Sequence, residues 1–178
     1  MTKPLNISFE DPSTEAIAEF DGAIVAFMGE DGTMDALAKR VNRQMKGALV
    51  RLGESDGFAK GNAGHVTALA FPAGLSASLV LVVKLSRRAS VADARLAGAA
   101  IAKALKGQAG LVLAGAHNKA AEIAYGLALR CYDDDVAVAG RVFGFRFLSA
   151  RNLRQSHQSC TRQPKCFLRH SHISIPQL

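Results

Sequence analysis

Carboxylates are missing from the end of this 178-residue chain: all 15 Asp and Glu lie at or before Asp135. The formal net charge of +7 therefore belongs to one end. Up to Gly140 basic and acidic residues balance, and the excess comes from Arg141, Arg146, Arg151, Arg154, Arg162, Lys165 and Arg169. The high pI is thus no argument for a nucleic-acid-binding body. Cysteine is scarce as well. Cys131, Cys160 and Cys166 are too few and too odd in number for a disulfide framework, which suits a reducing cytoplasm. The longest apolar runs, "GAIVAFM" (22–28) and "SLVLVV" (78–83), fall far short of the roughly 18 residues that a membrane helix needs. The first twenty residues carry acids where a secretory signal would be apolar. A soluble, cytoplasmic protein with no membrane partner is expected.

Several catalytic signatures are also missing. The chain has no G-x-x-x-x-G-K-[ST] phosphate loop, no G-x-G-x-x-G after a strand and no G-x-S-x-G elbow, which argues against nucleotide-loop and triad-hydrolase chemistry. "GNAGH" (61–65) is glycine-rich, but it precedes a strand, so no helix N-terminus is there to hold a phosphate. It is read as a plain loop.

With 49% hydrophobic residues, the chain can bury one sizeable core. "LNISF" (5–9) reads as a strand, followed by a helix with Asp11 as N-cap and Pro12 at its first position. Residues 22–28 form an apolar run bounded by glycines, the pattern of a strand covered on both faces. Thr33 is placed as the cap of one amphipathic helix, in which Leu37, Val41, Met45, Ala48 and Leu52 recur until Gly53. Residues 65–71 and 78–85 flank a Pro72/Gly74 turn and form an antiparallel pair, the second strand more buried. Ser90 caps a small-residue helix that ends at Gly107, residues 111–116 give another buried strand, and Ile123, Leu127 and Cys131 line one face of a last helix. Three aspartates at 133–135 oppose the macrodipole, so that helix is expected to stop by Tyr132. Beyond it the pattern allows one more strand from Val136 or collapsed coil. Strands alternating with helices argue for a three-layer α/β/α sandwich, mostly parallel, with one antiparallel hairpin.

Candidate sites are few. Cys160, Cys166, His170 and His172 are soft ligands, but their gaps do not match a zinc finger. The run Asp133–Asp135 offers hard ligands whose consecutive side chains diverge, and a solvated helix end is the simpler reading. His65 and His117 are the body's histidines; His117 follows a strand, where α/β proteins bind ligands, yet both are read as surface or capping residues. The composition of the tail is that of a disordered segment, and its cations allow weak nucleic-acid binding by phosphate neutralisation.

Residues 5–132 resemble the N-terminal domain of the leucyl aminopeptidases, peptidase family M17. The stretches that carry the likeness are "DGAIVAFMGEDG" (21–32), "GALVRLGESDGFAKGNAGHVTALAFPAG" (47–74), "SLVLVVKLS" (78–86), "GAAIAKALK" (98–106) and "AAEIAYGLALRCY" (120–132). Lys84, Leu85 and Ser86 stand where the family usually has Gly-Leu-Gly. The resemblance implies a macro-domain-like fold beside a separate catalytic domain, which holds two divalent metals, zinc or manganese, and whose motifs do not occur here. On this reading 1–132 is an accessory domain and 133–178 a divergent basic tail. The abrupt change of composition suggests a truncated gene with a frame-shifted end. No catalytic, cofactor or metal residue is assigned to the chain, which by itself is expected to be inactive. Self-association, or association with a full-length aminopeptidase, follows from the family's hexamers. ADP-ribose binding, as in some macro domains, and DNA binding, as in some bacterial relatives, are the alternatives.

Overall fold

The computed structural model describes residues 6–11, 13–115, 117–135 and 144–148. Its framework is one six-stranded sheet in the order β1-β6-β5-β2-β4-β3. The strands are β1 (Asn6–Glu10), β2 (Ala23–Met28), β3 (Val66–Ala70), β4 (Leu79–Lys84), β5 (Gly110–Val112) and β6 (Gly144–Leu148). All neighbours run parallel except β3 and β4, which form the expected antiparallel hairpin. The helices are α1 (Thr14–Glu19), α2 (Ala36–Gln44), α3 (Ala48–Gly53), α4 (Asp56–Ala59), α5 (Val91–Leu105) and α6 (Ala120–Asp135).

The central strands are buried on both sides because each face of the sheet has its own helical layer. Ala23, Val25 and Phe27 of β2, with Leu81 and Val83 of β4, pack against Ala97 and Ile101 of α5 and Ile123 and Leu127 of α6. The alternate residues Ile24, Ala26 and Met28, with Val80 and Val82, meet Ile17, Val41, Leu49 and Phe58 of α1–α4. The period of two in the strands thus sorts one continuous apolar run into two cores.

Both sides depart locally from the sequence expectations. The first helix begins two residues later than Asp11 suggested, because Ser13 Oγ accepts the Ala16 N–H. Thr33 does not cap α2; its carbonyl closes a turn by accepting Gly29 N–H, and Asp35 Oδ1 takes the Ala38 N–H at 2.7 Å. The single helix expected up to Gly53 is broken at Lys46 (φ 52°) and Gly47 (φ 81°). Asn42 Oδ1 makes the break possible by accepting Leu49 N–H and Val50 N–H, the orphan donors at the start of α3. Val41, Met45 and Leu49 stay buried across it, which is why the periodicity hid the interruption.

The α5 cap is as expected: Ser90 and Asp93 form a reciprocal capping box. The helix ends through left-handed Lys106 and Gly107. Its small residues serve two neighbours: Ala94 and Ala97 join the core against the sheet, and Gly98 meets α6. A Cβ on Gly98 would lie 2.1 Å from Ile123 O, and one on Gly126 would lie 2.1 Å from Arg95 O, so α5 and α6 touch backbone to backbone. The α6 helix runs past Tyr132 to Asp135. Burial of Ile123, Leu127 and Cys131 along one face outweighs an unfavourable dipole term of about 0.3–1 kcal/mol.

Of the segment 133–178, residues 144–148 form β6 between β1 and β5, with Phe145, Phe147 and Leu148 buried. Arg146, counted with the basic end, belongs to this strand. Its Nε donates to both carboxylate oxygens of Glu10 on β1, at 2.9 and 3.0 Å. The bond pulls the Glu10 carboxyl below its ordinary range. The cysteines and histidines at 160–172, and the side chains of Asp133–Asp135, lie outside the described residues.

Candidate functional site

In open α/β sheets ligands bind beyond the carboxyl ends of the strands, where successive connections leave in opposite directions. Here that place lies above β2. The chain leaves β2 towards β4 and leaves β5 towards β6, so the loops after Met28, Lys84 and Val112 gather around one crevice. Backbone bonds fix their origins: Leu85 N–H donates to Met28 O at 2.8 Å and Leu113 N–H to Val25 O at 2.9 Å.

Two of these loops enclose a cleft of about 240 Å³, lined by Gly29, Glu30, Asp31, Thr33, Ser86, Arg87 and Arg88. The β2 wall is a tight turn in which Gly29 N–H meets Thr33 O at 2.8 Å, and Gly32 adopts the positive φ (70°) that the turn requires. It contributes two carboxylates. The β4 wall contributes Ser86, whose Oγ accepts Arg88 N–H, and two guanidiniums. Among the described residues no ion pair joins the two walls. The cleft is smaller than the roughly 300 Å³ at which pockets for drug-sized ligands begin.

His117 lies near Arg87 of this cleft, and here the expectation of a surface or capping histidine fails. It is 3% exposed. Its ring lies against Phe27 of β2 with centroids 4.6 Å apart, and its backbone N–H donates to Ala114 O. Burial, followed by the nearby positive charge of Arg87, lowers its pKa from 6.5 to about 4, so it is neutral near pH 7 and cannot serve as a cation there. His65, by contrast, is exposed as expected.

Lys84 occupies the end of β4 and is 7% exposed. Its Nζ donates to Phe58 O at 3.3 Å and Ala59 O at 2.9 Å and stands 5.7 Å from the centre of the Phe58 ring. The lysine that replaces glycine in the family's usual pattern is therefore a structural clamp: it caps the carbonyls of α4 and faces away from the cleft. Residues 61–65 form a loop beside it, with Gly64 N–H donating to Lys84 O at 2.7 Å.

A pair of divalent metals needs several converging carboxylates. Glu30 and Asp31 are chain neighbours, both exposed and facing arginines, and do not fit such a pair. Among the described residues no three His, Cys, Asp or Glu cluster as metal ligands, and no helix is long and apolar enough to cross a membrane. Sequence reasoning passed over the cleft, although "GEDGT" and "SRR" each follow a buried strand and could have marked it.

The architecture defines a class first: a macrodomain-like α/β protein. The macrodomain of Mycobacterium tuberculosis DarG superposes with a TM-score of 0.59 at 10% identity, over 80% of this chain and 97% of that one. The Trypanosoma brucei macrodomain, solved in complex with ADP-ribose, gives 0.57 at 13% identity over 87% and 68%. Within that class, residues 24–137 match the N-terminal domain of the cytosol aminopeptidase family, and the chain belongs to this family. A "Probable cytosol aminopeptidase" of Cereibacter sphaeroides is 50% identical over 133 residues, and one of Dinoroseobacter shibae is 38% identical over 135. The matches cover 75% and 76% of this chain, but only 27% and 28% of those relatives.

Proposed function

We propose that the chain is a non-catalytic accessory and assembly domain of an aminopeptidase-like protein, acting in the cytoplasm. The observation that carries this reading is the state of the strand-end crevice. Phe27 and His117 pack against each other at the strand ends, Lys84 is bonded to α4, and the open space is a small cleft with opposed charges. His117 is neutral near pH 7, and among the described residues no three His, Cys, Asp or Glu gather to hold an ion. Membership of the family through its N-terminal domain supports the same reading. In an assay of the purified chain with leucine amide and added Mn²⁺ or Zn²⁺, no turnover above the metal-only blank is expected. Metal-dependent release of leucine would overturn the proposal.

A second reading, a nucleotide-binding module, is favoured by one feature: Arg87 and Arg88 stand at the strand ends without a described carboxylate bonded to them. Against it, Glu30 and Asp31 line the same space and would repel a diphosphate. Calorimetry with ADP-ribose separates the two readings, with no heat expected from the accessory domain.

A further inference from the structure

The cleft at the strand ends sets two negative charges against two positive ones. Glu30 and Asp31 stand on the wall after β2, and Arg87 and Arg88 on the wall after β4. All four residues are exposed. Among the described residues none of them makes an ion pair or a side-chain hydrogen bond, across the cleft or elsewhere. Both signs of charge therefore face one space without satisfying each other.

The backbone of both walls is tied down. After β2 the chain folds back so that Met34 bridges Met28, and Gly32 N–H donates to Gly29 O at 3.1 Å. A Cβ on Gly29 would lie 2.4 Å from Thr33 Oγ1, so the turn is closed to any side chain there. After β4, Ser86 takes two bonds from its own loop: its Oγ accepts Arg88 N–H at 3.3 Å and its carbonyl accepts Ala89 N–H at 3.1 Å. Ser90 then caps α5. The main chain thus fixes where the four charged side chains begin, and only their rotamers are left to a ligand.

The lining selects by what it refuses. A diphosphate is repelled by Glu30 and Asp31, and a polyamine by Arg87 and Arg88. An apolar molecule finds only glycine, hydroxyl and charged groups. His117, neutral near pH 7, adds no charge to the balance. We propose that the cleft is a binding site for a small zwitterion, with an ammonium at one end of a short skeleton and a carboxylate at the other. Its ammonium lies towards Glu30 and Asp31. Its carboxylate takes guanidinium N–H donors from Arg87 and Arg88, whose fork matches two carboxylate oxygens. A volume of about 240 Å³ suits a molecule of this size. The site binds without chemistry, so it goes beyond the accessory reading and does not depend on it. Exposed charges make the association weak, with a dissociation constant on the order of 1 mM.

Amide NMR of the isotope-labelled full chain, titrated with γ-aminobutyrate at constant ionic strength from about 0.1 to 50 mM, tests this over the range of weak binding. Saturable shifts are expected at the amides of Gly29, Gly32, Thr33 and Ser86. Butyrate and butylamine carry one charged end each and are expected to bind about fivefold more weakly or less. Two double variants, Arg87→Gln with Arg88→Gln and Glu30→Gln with Asp31→Asn, each remove the partners of one end and are expected to weaken binding about fivefold. The same spectra report whether each variant is folded, and all four positions are exposed. No saturable shift in the wild type overturns the proposal. Equal affinity for the single-ended ions, or full affinity in either folded variant, also overturns it. Aminopeptidase turnover by the chain would strike at the accessory reading without touching this site.

Discussion

The two helical layers solve the same problem by different means. Below α5 and α6 the helices are long, and they approach each other through Gly98 and Gly126, with main chain against main chain. Across the sheet, α2, α3 and α4 are short and interrupted, and single side chains hold them: Asp35, Asn42, Ser55 and Lys84 each bind backbone groups at a helix end. One layer depends on the absence of side-chain atoms, the other on a few well-placed polar ones. The first should be intolerant of added volume. The second should lose stability in separate, local steps.

The largest effect expected from this contrast is at Gly126. A β-carbon there would overlap Arg95 O and must push the helices apart. Gly126→Ala is expected to cost about 3 kcal/mol, the upper range for overpacking, read as a lower urea midpoint by circular dichroism. A loss below about 0.5 kcal/mol, the scatter of neutral surface changes, would show that the close approach is not needed.

Next comes the response of the crevice above α6 to acid. The His117 pKa is depressed in the folded chain, so the unfolded chain binds the extra proton below its ordinary value of 6.5. The contribution of His117 is therefore complete above pH 6.5 and is lost as pH falls towards about 4, a total of about 3 kcal/mol at most. Carboxylates titrate at the bottom of this window too, so the diagnostic is a comparison: His117→Leu should flatten the upper part of the stability profile between pH 6.5 and 5. An unchanged profile in the variant would place the titration elsewhere.

Smaller, graded losses are expected on the other side. Lys84→Met leaves Phe58 O and Ala59 O without their ammonium donor and should cost about 2 kcal/mol. Asn42→Ala uncaps α3 and should cost about 1 kcal/mol. In hydrogen exchange, the clamp variant should speed amides of α4 and the cap variant those of Leu49 and Val50, leaving α5 and α6 protected. Loss of protection in both layers together would mean that they unfold as one unit.

The same contrast explains what the sequence made legible. The β2 and β4 runs, the hairpin turn and the Ser90 cap rest on neighbours within a few residues, and each was readable as a local pattern. The break at Gly47 was masked because Val41, Met45 and Leu49 keep facing the core through it. The small stripe of α5 was readable as an approach to the sheet, which Ala94 and Ala97 make; the contact of Gly98 with α6 was not, since its partner Ile123 belongs to a later helix. The crevice was harder still. Its walls come from two loops far apart in the chain, and His117 looked like any polar residue after a strand until Phe27 and Arg87 were beside it.

By itself the sequence determined the class of fold, the two-faced burial of the central strands and the likeness to the aminopeptidase N-terminal domain, because these depend on period and order along the chain. Only the tertiary structure decided that β6 enters the sheet beside β1, that Glu10 meets Arg146 across 136 positions, and that His117 is buried and neutral. Those outcomes depend on strand order, and no short stretch of sequence carries the information about which distant strand will lie next to it.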